Sequence, residues 1–358
     1  MSGSSPRPPQ STIKDVAARA HVSVGTVSNV LNRPETVSPG TRQQVLDAMK
    51  ALGFVRHAGA AMLRRSHRTS MVGVIVLNAA SPFFAEVAAG AEDVAREDDR
   101  LVVICSSAGD REREGRYFVA LEAQRVAGII VSPVGLRVPE VTSLRARGVA
   151  VVLLERQHPD FCSVEVNGRG GAEQAVGHLI GLGHREIAYV SPPLDIPQYR
   201  QRWEGAEAAA AGHALVHLVR TEVGPLGGTE AGSAAAADLL TRHPEITGFF
   251  CANDLVALGL MSGLARMGYR IPEDVSVVGF DDVEGARFGV VPLTTVRQPA
   301  RELGRRATEL MLAEAAAGPD HHHEHVVFDA ELVIRESTGA PRTGGRPHST
   351  PPDLTSHL

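Results

Sequence analysis

The chain reads Thr12-Ile13-Lys14-Asp15-Val16-Ala17-Ala18-Arg19-Ala20 and runs straight on into His21-Val22-Ser23-Val24-Gly25-Thr26-Val27-Ser28-Asn29-Val30-Leu31-Asn32. Thr12 followed by Asp15 has the form of a capping box, so a first helix is expected to begin near Ile13. Val16, Ala17 and Ala20 then share its inner face. His21-Val22 makes a tight turn and Ser23 can cap a second helix. There Val27, Val30 and Leu31 fall at i, i+3 and i+4 and form one apolar stripe. The side chains left outside, Val24, Gly25, Thr26, Ser28 and Asn29, are short. A helix with short polar side chains can sit close to base edges, and Asn can pair bidentately with adenine. Two short helices joined by a tight turn have the geometry of a major-groove DNA reader.

Outward from this core, Ser38-Pro39 opens a third helix. Val45, Leu46, Met49 and Leu52 are its expected core face, and Gly53 is its stop. Charge points the same way. Residues 1–68 hold ten Lys/Arg and three Asp/Glu, net +7, whereas the remainder is net −12. A basic head on an acidic body can neutralise phosphates and release counterions.

These residues resemble the lactose repressor (LacI/GalR) family of bacterial transcription factors. The likeness rests on Thr-Ile-x-Asp-Val-Ala at 12–17, Val-Ser-x-x-Thr-Val-Ser at 22–28, Leu-Asn at 31–32, Val-Ser-x-x-Thr-Arg at 37–42 and Leu-Gly-Phe at 52–54. It implies that Ser23, Val24, Gly25, Thr26, Ser28 and Asn29 face DNA. The last of these positions is often Arg in the family, so Asn29 implies a different base preference. Residues 56–65 are similar to the family's hinge helix, which is too short to stand alone and is ordered when two copies meet on DNA. Leu63 matches the Leu that wedges into the minor groove, and Ala60 a small residue that lets the backbones approach. Arg56-His57 departs from the family's usual Pro-Asn. With Thr12 and Asn32, these positions make the candidate DNA-facing set. A plain linker remains the other reading of 56–65.

From Met71 the chain alternates strand-like runs (72–77, 101–105, 128–132, 149–154, 186–190, 248–251, 275–280) with Ala-rich helical stretches (83–97, 172–182, 229–241, 255–267). Alternation of this kind predicts parallel sheets covered by helices on both faces. The expected fold is a small all-α helix-turn-helix head plus an α/β body of two doubly wound parallel-sheet lobes. Residues 1–11 and 339–358 read as disordered, 12–55 as the DNA-binding domain, 56–69 as hinge and linker, and 70–338 as the body.

The body extends the resemblance through Ser-Pro-Phe-Phe at 81–84, His-Leu-Ile-x-Leu-Gly-His at 178–184, Ala-Asn-Asp at 252–254, Pro-Glu-Asp-Val-Ser-Val-Val-Gly-Phe-Asp-Asp at 272–282, Pro-Leu-Thr-Thr-Val-x-Gln-Pro at 292–299 and Arg-Glu-Ser-Thr at 335–338. It implies two lobes of the type I periplasmic-binding-protein kind, 70–166 with 299–325 and 167–298 with 326–338. It also implies a homodimer and a small-molecule effector, a sugar or sugar-like compound.

Ligands of open α/β sheets bind beyond the carboxyl ends of the strands. Ser81, Phe83, Phe84, Arg156, Asn253 and Asp281 sit at or just past such ends, and Arg202 matches a position that grips the effector in the family. Arg202 brings a fixed fork of donors, while Asp281 and Asn253 can accept from hydroxyls. Asp254 sits at such an end too, with a plain helix cap as its other reading, and Trp203, the only Trp, is as readily core as site. Two departures bear on the ligand. Asn167 stands in a stretch where the family commonly has an acid, and Glu155-Arg156 replaces its common Asp-Arg.

Enzyme classes lack their signatures. Gly181-Leu182-Gly183 precedes a strand instead of opening a helix, and neither a P-loop nor a Gly-x-Ser-x-Gly elbow occurs. Cys105, Cys162 and Cys251 are odd in number and widely spaced, and read as reduced core or strand-end residues, not as ligands or disulfides. His321-His322-His323-Glu324-His325 reads as a polar loop, with a metal site as its other reading; no metal and no cofactor are expected. The Ser/Pro-rich first residues do not read as a secretion signal, and no apolar run approaches a membrane span. The expectation is therefore a cytoplasmic, effector-responsive, dimeric repressor of near-palindromic operator DNA. A solute-binding protein of transport, or a family activator with no small-molecule effector, is the alternative.

Overall fold

Thr12 accepts a hydrogen bond from the Asp15 amide, and Asp15 reaches back to the Thr12 amide at 2.7 Å. This closed capping box starts α1 (Ile13–Arg19) where its spacing predicts. The computed structural model describes residues 11–54, 71–135, 138–318 and 321–342. These fall into two units, a head before Arg68 and a body after it. In the head, α2 (Val24–Asn32) is capped by Ser23 and α3 (Pro39–Ala51) by Ser38. Val16, Val27 and Val45 are fully buried at their junction. Each Val contributes about 1.5–3 kcal/mol by leaving water. Leu46, expected in this core, is instead 41% exposed, and Ala48 takes its place. At 100° per residue, Ala48 and Met49 follow Val45 onto one face, while Leu46 turns away from it.

The body contains two six-stranded sheets. The first has the order β11-β5-β4-β3-β1-β2, from β1 (Met71–Val76), β2 (Leu101–Ser106), β3 (Gly128–Val131), β4 (Ala150–Leu154), β5 (Cys162–Val166) and β11 (His325–Phe328). All of its pairings are parallel. The second has the order β12-β10-β9-β8-β6-β7, from β6 (Glu186–Ser191), β7 (His217–Glu222), β8 (Gly248–Cys251), β9 (Ser276–Asp281), β10 (Thr294–Arg297) and β12 (Glu331–Val333). Here only the edge strand β12 runs antiparallel. Central strands such as Ala150–Leu154 are buried along their whole length, as sheets covered on both faces require.

Helices α4 (Pro82–Glu97), α5 (Arg111–Ala123), α6 (Val138–Ala146) and α12 (Ala300–Ala317) serve the first lobe. Helices α7 (Gly168–Leu182), α8 (Pro197–Ala211), α9 (Thr229–Arg242), α10 (Asp254–Arg266) and the short α11 (Glu284–Phe288) serve the second. Gly90 of α4 and Gly304 of α12 let two helix backbones touch. A Cβ on either would strike a carbonyl of the other helix, Arg301 or Val87 respectively.

The chain crosses between lobes three times: after Val166, after Arg297 and after Phe328. The third crossing comes three residues later than expected, because His325–Phe328 pairs with β5 in the first lobe. Hydrogen bonding also continues past residue 338. The Gly339 amide donates to Ser276 Oγ at 3.0 Å, and Arg342 meets Asp274 at 3.4 Å.

Candidate functional site

The head presents α2 to solvent along Val24, Gly25 and Asn29. Ser23 Oγ accepts from the Thr26 amide at 3.0 Å and shares a hydrogen bond with the Thr26 hydroxyl at 2.9 Å, which fixes the first turn. Val24 is 42% exposed. Among the described residues a Cβ on Gly25 would meet only Ser23 Oγ, at 3.5 Å, so none of them demands glycine there. Asn32 and Ser28 turn partly inward: Asn32 Nδ2 donates to the Ser28 carbonyl at 2.7 Å and to its hydroxyl at 3.2 Å. Thr12 is exposed but its hydroxyl is bonded to Asp15. Ala60 and Leu63 lie outside the described residues.

In the body, the two lobes close on a small cavity of about 20 Å³. Ser81, Phe83 and Phe84 come to it from the first lobe; Arg202, Asn253 and Asp281 come from the second. Ser81 and the two Phe stand at the start of α4, directly beyond β1. Asp281 ends β9, Asn253 follows β8, and Arg202 lies in the second turn of α8. Phe83 and Phe84 pack edge to face at 5.1 Å. Arg156 is the exception. It is half-buried, does not line the cavity, and lies near Arg200 and Arg111. Burial and those like charges push its pKa down.

Arg202 is only 3% exposed. Its guanidinium carbon lies 3.7 Å over the Phe280 ring, a cation–π stack, and its Nη1 donates to the Ala252 carbonyl. Among the described residues its Nε has no hydrogen-bond partner. A buried unmade donor on a planar fork costs free energy until an acceptor arrives. Asp281 stands 4.0 Å from Arg202 and accepts from Gln298 Nε2 at 2.6 Å. Burial nevertheless pushes its carboxyl up to about 7, although Arg202 pulls it down.

Glu155, at the end of β4, is likewise raised to about 7 by burial, with Arg202 the main opposing charge. Both carboxylates sit on positive-φ backbone, 123° at Asp281 and 57° at Glu155. Strain of this kind collects at ligand sites. The neighbouring Asp282 points the other way. Burial would raise its pKa, but hydrogen bonds from Arg297 and Arg335 outweigh this and hold it below the usual value.

Two expected roles change. Asn253 is the cap of α10: its Oδ1 accepts from the Val256 amide at 2.8 Å, which occupies one of that oxygen's two lone pairs. Asp254 is no cap but a buried tie. It accepts from the Val283 amide at 2.9 Å and from the Thr295 hydroxyl, joining α10 to the loop after β9 and to β10. Trp203 proves to be packing, stacked on Tyr189 at 5.6 Å. Asn167 caps α7 at the first lobe crossing by accepting from the Gly170 amide at 2.9 Å.

Gln198 and Tyr199, buried on the first turn of α8, also line the cavity and were not picked out from the sequence. Their spacing of four and three residues from Arg202 puts them on its face of the helix, and is the only signal the sequence carries for them.

Residues 12–57 match the model of bacterial regulatory proteins of the lacI family, and residues 176–338 match that of a periplasmic binding protein-like domain. The ribose operon repressor of Halalkalibacterium halodurans is 34% identical over 91% of this chain and 97% of its own length. The transcriptional repressor PurR of Vibrio cholerae is also 34% identical, with the same coverage of both chains. Among solved structures, the Lac repressor dimer bound to operator and the anti-inducer ONPF superposes with a TM-score of 0.77 at 28% identity, over 93% of this chain and all of that one. The CelR–cellobiose complex gives 0.66 at 31% identity, over 92% and all. Among the described residues no helix is long and apolar enough to cross a membrane. A solute-binding protein of transport does not account for the matched head. The chain belongs to the lacI family of bacterial regulatory proteins, DNA-binding repressors rather than enzymes.

Proposed function

We propose that this chain is a cytoplasmic, homodimeric repressor whose affinity for a near-palindromic operator is set by a sugar or sugar-like molecule held between the lobes of its body. The observation that carries the reading is the convergence of Ser81, Phe83 and Phe84 from one lobe with Arg202, Asn253 and Asp281 from the other on one cavity. Arg202 Nε is a donor waiting for a ligand oxygen, Asp281 an acceptor for a hydroxyl, and the Phe pair a cover for an apolar sugar face. Gln198 and Tyr199 join them. Similar regulators have been solved with bound ribose and with cellobiose, which favours the same ligand class here.

A cavity of about 20 Å³ holds no more than one water. The described arrangement is thus a closed one, and a sugar enters only as the lobes part. The coupling follows from this. A ligand that prefers one lobe arrangement shifts the equilibrium between arrangements, and so the placement of the two heads of a dimer on DNA, by about 1–3 kcal/mol. Val24, Gly25 and Asn29, with Ser23, Thr26 and Ser28 behind them, are the base-reading set. Leu63 and Ala60 are assigned to a minor-groove wedge.

The test screens sugars against the full chain by the fluorescence of Trp203, its only Trp, which neighbours Arg202. The operator affinity of wild type, Arg202→Ala and Asp281→Ala is then measured with and without the compound found. Both variants are expected to bind operator and ignore the compound. If both respond as wild type does, the ligand does not bind in this cavity.

A further inference from the structure

The first lobe also gathers four metal-ligating side chains far from the cleft. Cys162 opens β5, Glu314 lies near the end of α12, and His321 and His323 stand in the segment that leads into β11. Their ligand atoms all lie within 4.8 Å of one another. His321 Nε2 is 3.1 Å and His323 Nδ1 3.7 Å from Cys162 Sγ. Ligands of a tetrahedral zinc ion, with bonds of about 2.0–2.3 Å, stand roughly 3.4–3.8 Å apart. Small side-chain shifts therefore convert the cluster into a coordination shell.

We propose that Cys162, Glu314, His321 and His323 form a binding site for a zinc-class divalent ion.

Three features favour an ion over a mere hydrogen-bonded knot. Cys162 is fully buried and Glu314 is 95% buried, and among the described residues Glu314 Oε2 has no hydrogen-bond partner. Thiolate, imidazole and carboxylate together are the donor set zinc selects, and thiolate plus carboxylate neutralise its two charges inside the lobe. The supporting contacts are also present. Arg145 Nε holds the other Glu314 oxygen, Oε1, at 3.0 Å, and the Glu324 amide donates to Cys162 Sγ at 3.4 Å. Outer contacts like these fix ligand orientation. Glu314 and Arg145 also line an open groove with Thr142, Gly148 and Gly318, which gives an ion a way in.

The position has a consequence. β5 runs from Cys162 to the first lobe crossing, α12 begins just past the second, and β11 runs from the His segment to the third. An ion here ties together the far ends of all three crossing segments, and so stiffens the base from which the lobes move.

The experiment strips the full-length protein with chelator and titrates it with Co²⁺, then displaces the cobalt with Zn²⁺. We expect a single Co²⁺ per chain, with the absorption of tetrahedral cobalt and a thiolate-to-metal charge-transfer band. We expect that band to vanish in Cys162→Ser. Glu314→Gln and His323→Ala should bind at least tenfold more weakly. Zn²⁺ should raise the melting temperature of wild type and not of these variants. His321→Ala alters a half-exposed loop residue, so it keeps the test usable should Cys162→Ser fail to fold, and it should also bind at least tenfold more weakly. Wild type without the charge-transfer band would overturn the proposal. So would loss of binding in His322→Ala equal to that in His321→Ala, the mark of chelation by exposed histidines alone.

Discussion

Arg202 and Asp281 face each other across 4.0 Å in the wall of the interlobe cavity, both nearly out of reach of water, yet burial still lifts the Asp281 carboxyl to about 7. One guanidinium serves two such acids, since Glu155 is held at about 7 by the same balance of burial against Arg202. Protonation of this cluster therefore falls in the range where cells live.

The pH dependence follows with a definite sign. Unfolded, Asp281 titrates near 3.8; folded, it titrates near 7. Between these values the folded chain holds the extra proton, so this group's contribution to stability falls as pH rises through the window and is flat above it. Asp281→Asn keeps the Gln298 contact and removes the titration. Its stability relative to wild type should rise between pH 4 and 7, by about 1–4 kcal/mol in all, and then level off. Urea unfolding of both proteins across that range measures it; parallel curves would contradict the assignment.

Gly25 separates a DNA role from a folding role. None of the described residues crowds a side chain there. Gly25→Leu should melt within about 1 kcal/mol of wild type, the propensity of a helical glycine working in its favour. It should nevertheless lose or change operator binding by about 1–3 kcal/mol, because the helix can no longer approach the base edges. Thermal melting and gel shift together decide the point.

Asp254→Ala should be costly without touching the ligand. The change leaves the Val283 amide and the Thr295 hydroxyl unsatisfied in the core of the second lobe. The expected loss is about 2–5 kcal/mol in chemical denaturation.

Leu63→Ala should weaken specific binding and reduce bending of the bound duplex, while binding to random DNA changes much less. Gel shifts on phased bent duplexes check this. Equal losses on specific and random DNA would remove Leu63 from the wedge role.

Much of this was legible in the sequence because the signals are local. Thr12, Ser23 and Ser38 cap their helices as their spacing predicts, and the apolar runs of β1, β3, β4, β6, β8 and β9 announce buried parallel strands. The strands that escaped the sequence reading include edge strands with polar, part-exposed residues, such as His217–Glu222 and His325–Phe328. Cys162-Ser163-Val164-Glu165-Val166 escaped too, because its polar members are buried by tertiary pairing rather than by pattern. At the site, Asn253 caps α10 while its neighbour Asp254 turns inward as a buried tie. Either residue can cap a helix, and only the position of Thr295 decides which one turns inward. Arg156 stands just past a strand end but does not line the closed cavity, and Arg200 and Arg111 are the like charges near it.

The central claim, that the basic head reads DNA in a dimer, is tested most directly by selecting duplexes from a random pool with the full-length chain. The account predicts enrichment of a near-palindromic consensus, bound with an affinity that falls steeply as salt rises, and loss of that enrichment when residues 1–65 are removed. Enrichment of no common sequence, or of the same sequence by the chain lacking its head, would contradict it.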